Sequence, residues 1–177
     1  MRTRFYQFFC GLLLLLTLNG CGFQLRGYGH QTLAFHTLYL TSNPPYTDFS
    51  KALRQALSAI GVDVRTSPPA PITLQILSQS FTRTVTSLGN AGQTTTYLLS
   101  YTILFQLLDS ANHILLPPQQ IRATRNFSIT SNQLSGDLNT QSDLEEDMHQ
   151  DAIQQLITRL SAPALRQRFS QRYPPTR

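Results

Sequence analysis

Residues 95–108 read TTYLLSYTILFQLL, and this segment decides the fold. Its odd-numbered positions from Tyr97 to Leu107 are all apolar or aromatic, whereas its even-numbered positions mix polar residues with leucine. A period of two residues is typical of a β-strand with one buried face. Fourteen residues at ~3.3 Å each span roughly 46 Å, far longer than the usual strand. The segment therefore predicts a long strand whose second, semi-polar face needs water, a partner or a ligand.

Further strands lie on both sides of this segment. The turn GNAG at 89–92 connects it to a preceding strand from Ile72, in which the apolar parity shifts near Leu77 and so predicts a bulge. A turn after Asp109 leads into a following strand that ends near Ile129. An earlier short strand occupies 36–40. Together these segments predict a sheet of four strands.

Two segments have a helical period instead. Between Phe49 and Ile60 the apolar residues fall on one face, with Thr47 or Asp48 placed to cap the first turn. Val62 and Val64 follow this helix and predict another strand. A strand, a helix and a second strand in succession suggest a βαβ unit. After a predicted loop over 130–141, a second helix runs from Ser142 to Leu160. We expect an α+β fold in which two helices pack on one face of a mixed four-stranded β-sheet.

The first 21 residues, MRTRFYQFFCGLLLLLTLNGC, have the features of an export signal. A positive start precedes an apolar stretch of about 14 residues, which is too short to span a membrane as a helix. The ending Leu18-Asn19-Gly20-Cys21 resembles a bacterial lipobox, in which the cysteine is acylated, and Gly22 favours the outer membrane. A plain secretory signal is the alternative. We therefore predict a signal peptide over 1–20, one folded domain over 21–162 and a flexible basic tail over 163–177.

The charges of the chain argue against nucleic acid as a partner. Lys and Arg total 14 against 9 acids, but removal of residues 1–20 leaves 157 residues (177−20) with 12 basic groups (14−2), a net charge of +3. An exported chain with one lysine, Lys51, and no basic stripe does not fit a nucleic-acid-binding surface. Charged residues are 13% of the chain, about half the usual share.

No pattern of residues indicates catalysis or a metal. The chain lacks a nucleophile elbow, a phosphate loop and a His-Glu-x-x-His motif, and we expect no enzyme activity and no cofactor beyond a covalent lipid on Cys21. Glu146 and His149 have the spacing of half a di-iron site, but no second copy exists. Arginines on the predicted strands could hold the phosphates of an anionic amphiphile, or could simply be solvated charges; they are Arg83, Arg122 and Arg125.

Several motifs together resemble one family. They are Cys-Gly-Phe-Gln-Leu-Arg-Gly at 21–27, the helix at 49–61 with its Leu-x-x-x-Gly-Val ending, Gly-Gln-Thr at 92–94 and Glu-Glu-Asp-Met at 145–148 before the last helix. This combination, which spans nearly all of 21–162, is similar to the lipopolysaccharide-assembly lipoproteins of the LptE (RlpB) family. The resemblance implies two helices on a four-stranded sheet, in agreement with the periodicity.

The resemblance also implies a function. Members of the family plug the lumen of the outer-membrane barrel LptD, help it to assemble and help it to pass lipopolysaccharide to the outer leaflet. They bind lipopolysaccharide without catalysis, and Arg83, Arg122 and Arg125 are the candidate ligands for its phosphates here. Gly89, Asn90 and Gly92 form the candidate partner-contact loop, although this chain has Asn90-Ala91 where some members carry a basic residue. A free-standing envelope lipoprotein that binds a lipid or a cell-wall fragment is the alternative.

Overall fold

The structure, a computed structural model, describes residues 33–89, 94–130 and 134–172. Within these ranges the side chains of 134–139 and 170–172 are not described. The predicted signal peptide, Cys21 and the loop residues Asn90 and Gly92 lie outside the described residues.

A mixed β-sheet with the strand order β2-β1-β3-β4-β5 forms the centre of the molecule. Strand β1 is parallel to β2 and β3, whereas β3, β4 and β5 are successively antiparallel. The mixed sheet is as predicted, but the prediction of four strands is wrong, because the sheet has five. The strands are β1 Thr37–Ser42, β2 Asp63–Arg65, β3 Ile72–Leu88, β4 Thr94–Asp109 and β5 Ile114–Thr130.

The additional strand is β2, which has three residues. Val62 and Val64 suggested this strand as part of the βαβ unit, but three residues are too few to display an alternating pattern, and the predicted count of four strands omitted it. It completes the βαβ unit with β1 and helix α1, Asp48–Ala59. The predicted cap of α1 is confirmed, since the Ser50 N–H donates to Thr47 Oγ1 at 3.1 Å.

The second helix is longer than its sequence indicates. Helix α2 is Leu134–Leu160, so the prediction of a loop is wrong for residues 134–141. This segment contains Gly136 and Asn139, which are weak helix formers, and its helical state is an extension of the well-packed turns that follow. The Ser142 capping signature lies inside the helix. Within the described residues, no helix is long and apolar enough to span a membrane.

A third helix occupies the segment that was predicted to be a flexible tail. Helix α3 is Pro163–Arg172, and the fold therefore extends past the predicted boundary at residue 162. Pro163 ends α2 and also opens α3, because a proline is tolerated at the first position of a helix. Leu165 and Phe169, one turn apart, are buried, and the Phe169 ring lies 5.5 Å from that of Phe35.

The three helices and one face of the sheet enclose a single core. The odd-numbered residues of β4 from Leu99 to Leu107 face the helices, as predicted, and are buried. The predicted bulge is confirmed by a register shift between Ile76 and Ser78, after which the odd-numbered residues of β3 face the helices. The helix residues that fill the core include Phe49, Leu53, Leu57, Met148, Ile153, Leu156, Ile157, Leu160 and Leu165.

Candidate ligand- and partner-binding surfaces

The face of strands β3, β4 and β5 that points away from the helices is the first candidate surface, which we call the open face. On β4 it consists of the even-numbered residues, which are half-buried by their neighbours and carry hydroxyl, amide or leucine side chains: Thr96, Leu98, Ser100, Thr102, Leu104, Gln106 and Leu108. Within these three strands, Arg122 is the one charged side chain on this face, opposite Thr102. The open face is therefore semi-polar and almost uncharged, as the alternation of 95–108 predicts.

Polar groups of the open face bond to one another across the strands. The Thr96 and Ser128 hydroxyl oxygens lie 3.1 Å apart, and the Gln106 Nε2 donates to Gln75 Oε1 at 2.7 Å. Thr86 Oγ1 donates to the Thr96 carbonyl at 3.2 Å. These bonds hold the side chains of the open face in place.

Two of the three predicted arginines lie together on the helix side of the sheet. Arg83 and Arg125 are the register partners of Leu99 from β3 and β5, so the three residues form one row. The Arg83 guanidinium lies 4.3 Å from the centre of the Tyr97 ring and donates to Gln141 Oε1 at 3.0 Å. Arg125 is bound on α2 by Asp151, with Nη1 and Oδ2 3.1 Å apart.

The third arginine lies on the opposite face. Arg122 is exposed on the open face, so the structure does not bring it together with Arg83 and Arg125. Gly89 lies at the end of the β3–β4 hairpin, where its N–H donates to the Thr94 carbonyl at 2.6 Å. The exposed side chains of Val85 and Leu88 precede it. The hairpin is as predicted, and its tip is apolar on the β3 side.

A partly buried polar cluster joins the sheet to the start of α1, and sequence reasoning missed it. Gln79 Oε1 accepts bonds from Thr47 Oγ1 and from the Tyr101 hydroxyl, each at 3.1 Å, and Gln79 Nε2 donates to Ser42 Oγ at 2.8 Å. Burial, with a smaller contribution from the charge of Glu145, raises the pKa of Tyr101 far above the ordinary tyrosine value. The Tyr101 hydroxyl therefore stays protonated and acts as a donor.

The His149 side chain packs against this cluster and is largely buried. Its ring lies 4.5 Å from that of Tyr101 and 5.9 Å from that of Phe49. Its Nδ1 is 4.0 Å from Glu146 Oε2. Among the residues that the structure describes, no group of three His, Cys, Asp or Glu side chains is placed to hold a metal ion.

A cavity of about 370 Å³ opens beside the other end of the sheet, next to the β4–β5 turn. Asp109 at its edge binds the backbone N–H groups of Ala111 and His113. Desolvation alone would raise the pKa of Asp109, but these bonds and the His113 ring lower it below the usual value. The cavity is lined mainly by polar side chains and prolines, among them Tyr39, Thr41, Pro68, Pro69, Thr73 and Gln75.

Comparisons with known proteins agree with one another. A family model described as LptE, lipopolysaccharide-assembly, matches residues 35–160. The LPS-assembly lipoprotein LptE of Pectobacterium atrosepticum is 31% identical over 163 residues, which cover 90% of this chain and 86% of that protein. The protein of the same name from Yersinia enterocolitica is 29% identical over 168 residues, 90% of this chain and 77% of its own length.

Among solved structures, the solution NMR structure of an uncharacterized lipoprotein B from Nitrosomonas europaea is similar with a TM-score of 0.68. The two chains are 27% identical, and the likeness covers 80% of this chain and 91% of the other. The family match begins just before β1 and ends with α2, so it includes the whole sheet.

Proposed function

Because the chain belongs to the LptE family of lipopolysaccharide-assembly proteins, we propose that it is an outer-membrane lipoprotein that plugs an LptD-type β-barrel. In this proposal it helps the barrel to assemble and to pass lipopolysaccharide to the outer leaflet, without catalysing a reaction. The observation that carries the proposal is the open face, which is long, semi-polar and almost uncharged.

The chemistry of the open face suits a barrel lumen. The inner wall of an outer-membrane barrel is polar, so a plug must offer hydrogen bonds where water is displaced. Thr96, Ser100 and Thr102 provide hydroxyl groups along β4, and leucines alternate with them. A face with many charges would lose more solvation energy on entering the lumen, because a buried charge without a partner is costly.

The lipid anchor is part of the same proposal. Acylation of Cys21 would hold the domain on the membrane, since each buried CH₂ contributes ~0.8 kcal/mol and more than one chain is needed for stable anchoring. An intact-mass measurement on the purified protein and on Cys21→Ala checks this. The wild-type chain is expected to carry the mass of its acyl chains, and an unmodified wild-type mass would contradict the anchor.

The plug is tested by site-specific photocrosslinking in cells, followed by detergent extraction. A photoreactive residue at Thr102 on the open face is expected to link to a large barrel protein. The same residue at Thr158, exposed on α2, is the matched control and is expected to link weakly. A photoreactive residue at Asn90 tests the predicted partner-contact loop of Gly89, Asn90 and Gly92.

Three results of the photocrosslinking experiment are distinguishable. Recovery of a monomeric domain with no barrel at any position would overturn the plug. Linkage from Thr158 but not from Thr102 would keep the plug and reject the open face as its contact. A linkage to lipid or to cell-wall material alone would favour a free-standing envelope lipoprotein, for which the 370 Å³ cavity is of suitable size.

We propose further that Arg83, Arg122 and Arg125 hold lipopolysaccharide phosphates. Arg122 is exposed with no carboxylate partner among the described residues, and the Arg125–Asp151 pair is partly exposed, so that a phosphate could compete for it. Arg122→Gln is expected to weaken binding of purified lipopolysaccharide several-fold. Arg168→Gln on α3 is the control, and equal binding by both variants would remove Arg122 from the site.

A further inference from the structure

Strand β5 is an edge strand, and its outward backbone groups are protected along only part of its length. In an antiparallel pair, residues alternate between those that bond to the partner strand and those that point away. The register with β4 runs without a shift from Gln119 to Thr130. Every second residue of β5 in this segment therefore directs its backbone N–H and C=O away from β4.

The outward set is identified by the bonds that its carbonyl groups accept. The Gln120 carbonyl accepts from Arg159 Nη1 at 2.8 Å, and the Arg122 carbonyl accepts from Gln155 Nε2 at 3.5 Å. The Thr124 carbonyl accepts from the Nη1 of Arg125 at 2.9 Å. The even-numbered residues thus point away from β4, and side chains cover the first three of them.

Beyond Thr124 this cover stops. The next outward residues are Asn126, Ser128 and Thr130, and within the described part of the chain no group bonds to the outward N–H and C=O of Asn126 or Ser128. The cause is the path of α2, which lies over the β5 edge at Arg159 but nearer β4 at Gln141, since Gln141 bonds to an Arg83 guanidinium that lies over the Tyr97 ring. Within the described residues, no side chain of α2 bonds to the outward backbone beyond Thr124.

An open edge is normally protected by charged side chains, proline, a bulge or a covering element. The protected part of β5 has several of these: Pro117 and Pro118, and the side chains of α2. Asn126, Ser128 and Thr130 have small, uncharged side chains, and nothing in the described part of the chain protects Asn126 or Ser128. Among the described residues, one part of the edge is therefore covered and the other is available to another strand.

We propose that Asn126–Thr130 accepts an extended segment of the barrel protein as a sixth strand of the sheet. On the helix side such a strand would lie beside Phe127, which is buried, and Ile129, which is half-buried. On the open side it would lie beside Asn126 and Ser128. The nearest charge is Arg125, which is paired with Asp151. The segment that fits is thus uncharged and alternates apolar with small polar residues.

The inference rests on the proposed function for the identity of the partner. Hydrogen exchange distinguishes a failure of the strand addition from a failure of the proposed function. The probe is the full-length lipoprotein in its detergent-purified complex with the barrel, compared with the lipoprotein alone. The outward amides of Asn126 and Ser128 are expected to exchange more than about tenfold more slowly in the complex. The amides of Arg125 and Phe127, bonded to β4, are the internal control and should be slow in both samples.

Each other result of the hydrogen-exchange experiment counts against the inference. A complex that contains the barrel, but in which the amides of Asn126 and Ser128 exchange as in the free protein, overturns it and leaves the plug standing. Failure to recover any barrel overturns both. Protection of these amides in the lipoprotein alone that increases with its concentration would mean that a second copy occupies the edge.

A pair of variants at Asn126 gives a second test. Asn126→Pro removes one outward N–H without removing a bond to β4 and is expected to weaken the complex by about 5- to 10-fold. Asn126→Ala removes the same side chain but keeps the N–H, and is expected to bind more tightly than Asn126→Pro. Thermal unfolding of both variants without the barrel verifies that they fold, and equal affinities of two folded variants would reject the strand addition.

Discussion

At the scale of single residues, one bulge decides which way Gln79 points. The register shift between Ile76 and Ser78 turns Gln79 toward the helices, where it bonds to Tyr101, Thr47 and Ser42. The change of apolar parity near Leu77 made the bulge predictable. The bonds were not predictable, because the partners lie 22, 32 and 37 positions away in the sequence.

Replacement of Gln79 tests the contribution of this cluster to stability. Gln79→Ala leaves the buried Tyr101 hydroxyl without its acceptor, and we expect the free energy of unfolding to fall by about 2 kcal/mol. Urea denaturation followed by circular dichroism measures the loss. Gln75→Ala is the matched control on the same strand, because its side chain lies on the open face and, among the described residues, bonds to Gln106 alone. Similar losses in the two variants would show that the cluster contributes no special stability.

At the scale of elements, the strands and helices with a strong periodic pattern of apolar residues were the ones that could be predicted. Strand β4 and helix α1 each carry one clean period, and both were predictable from it. Strand β2 is too short to show a period, and the first turns of α2 have no apolar stripe. Helix α3 exposes most of its residues and buries only two described ones, so its arginines and glutamines suggested a tail.

The packing of α3 leads to a prediction about the C-terminal segment. Phe169→Ala removes a buried ring that contacts Phe35, and we expect a loss of about 3 kcal/mol in the free energy of unfolding. Arg168→Ala, at the neighbouring exposed position, should change it by less than about 0.5 kcal/mol. Both are measured by chemical denaturation. An unchanged stability of Phe169→Ala would mean that α3 does not belong to the cooperative fold.

At the scale of the whole molecule, the sheet separates two environments. Its helix side carries the core together with Arg83 and Arg125, and its open face carries Arg122. The alternation of β4 was enough to predict two unlike faces. Which arginine lies on which face could not be predicted, because that depends on the bulge in β3 and on the register of β5.

The contact between Phe35 and Phe169 has a consequence for the order in which the chain acquires its shape. These two rings are 134 positions apart in the sequence, yet they lie 5.5 Å apart in space. Because Phe35 is synthesised long before Phe169, this part of the core can close only after helix α3 has been made. Until α3 packs, Phe35 lacks the ring that it contacts in the folded protein, and an incompletely packed apolar side chain of this kind favours aggregation or chaperone binding.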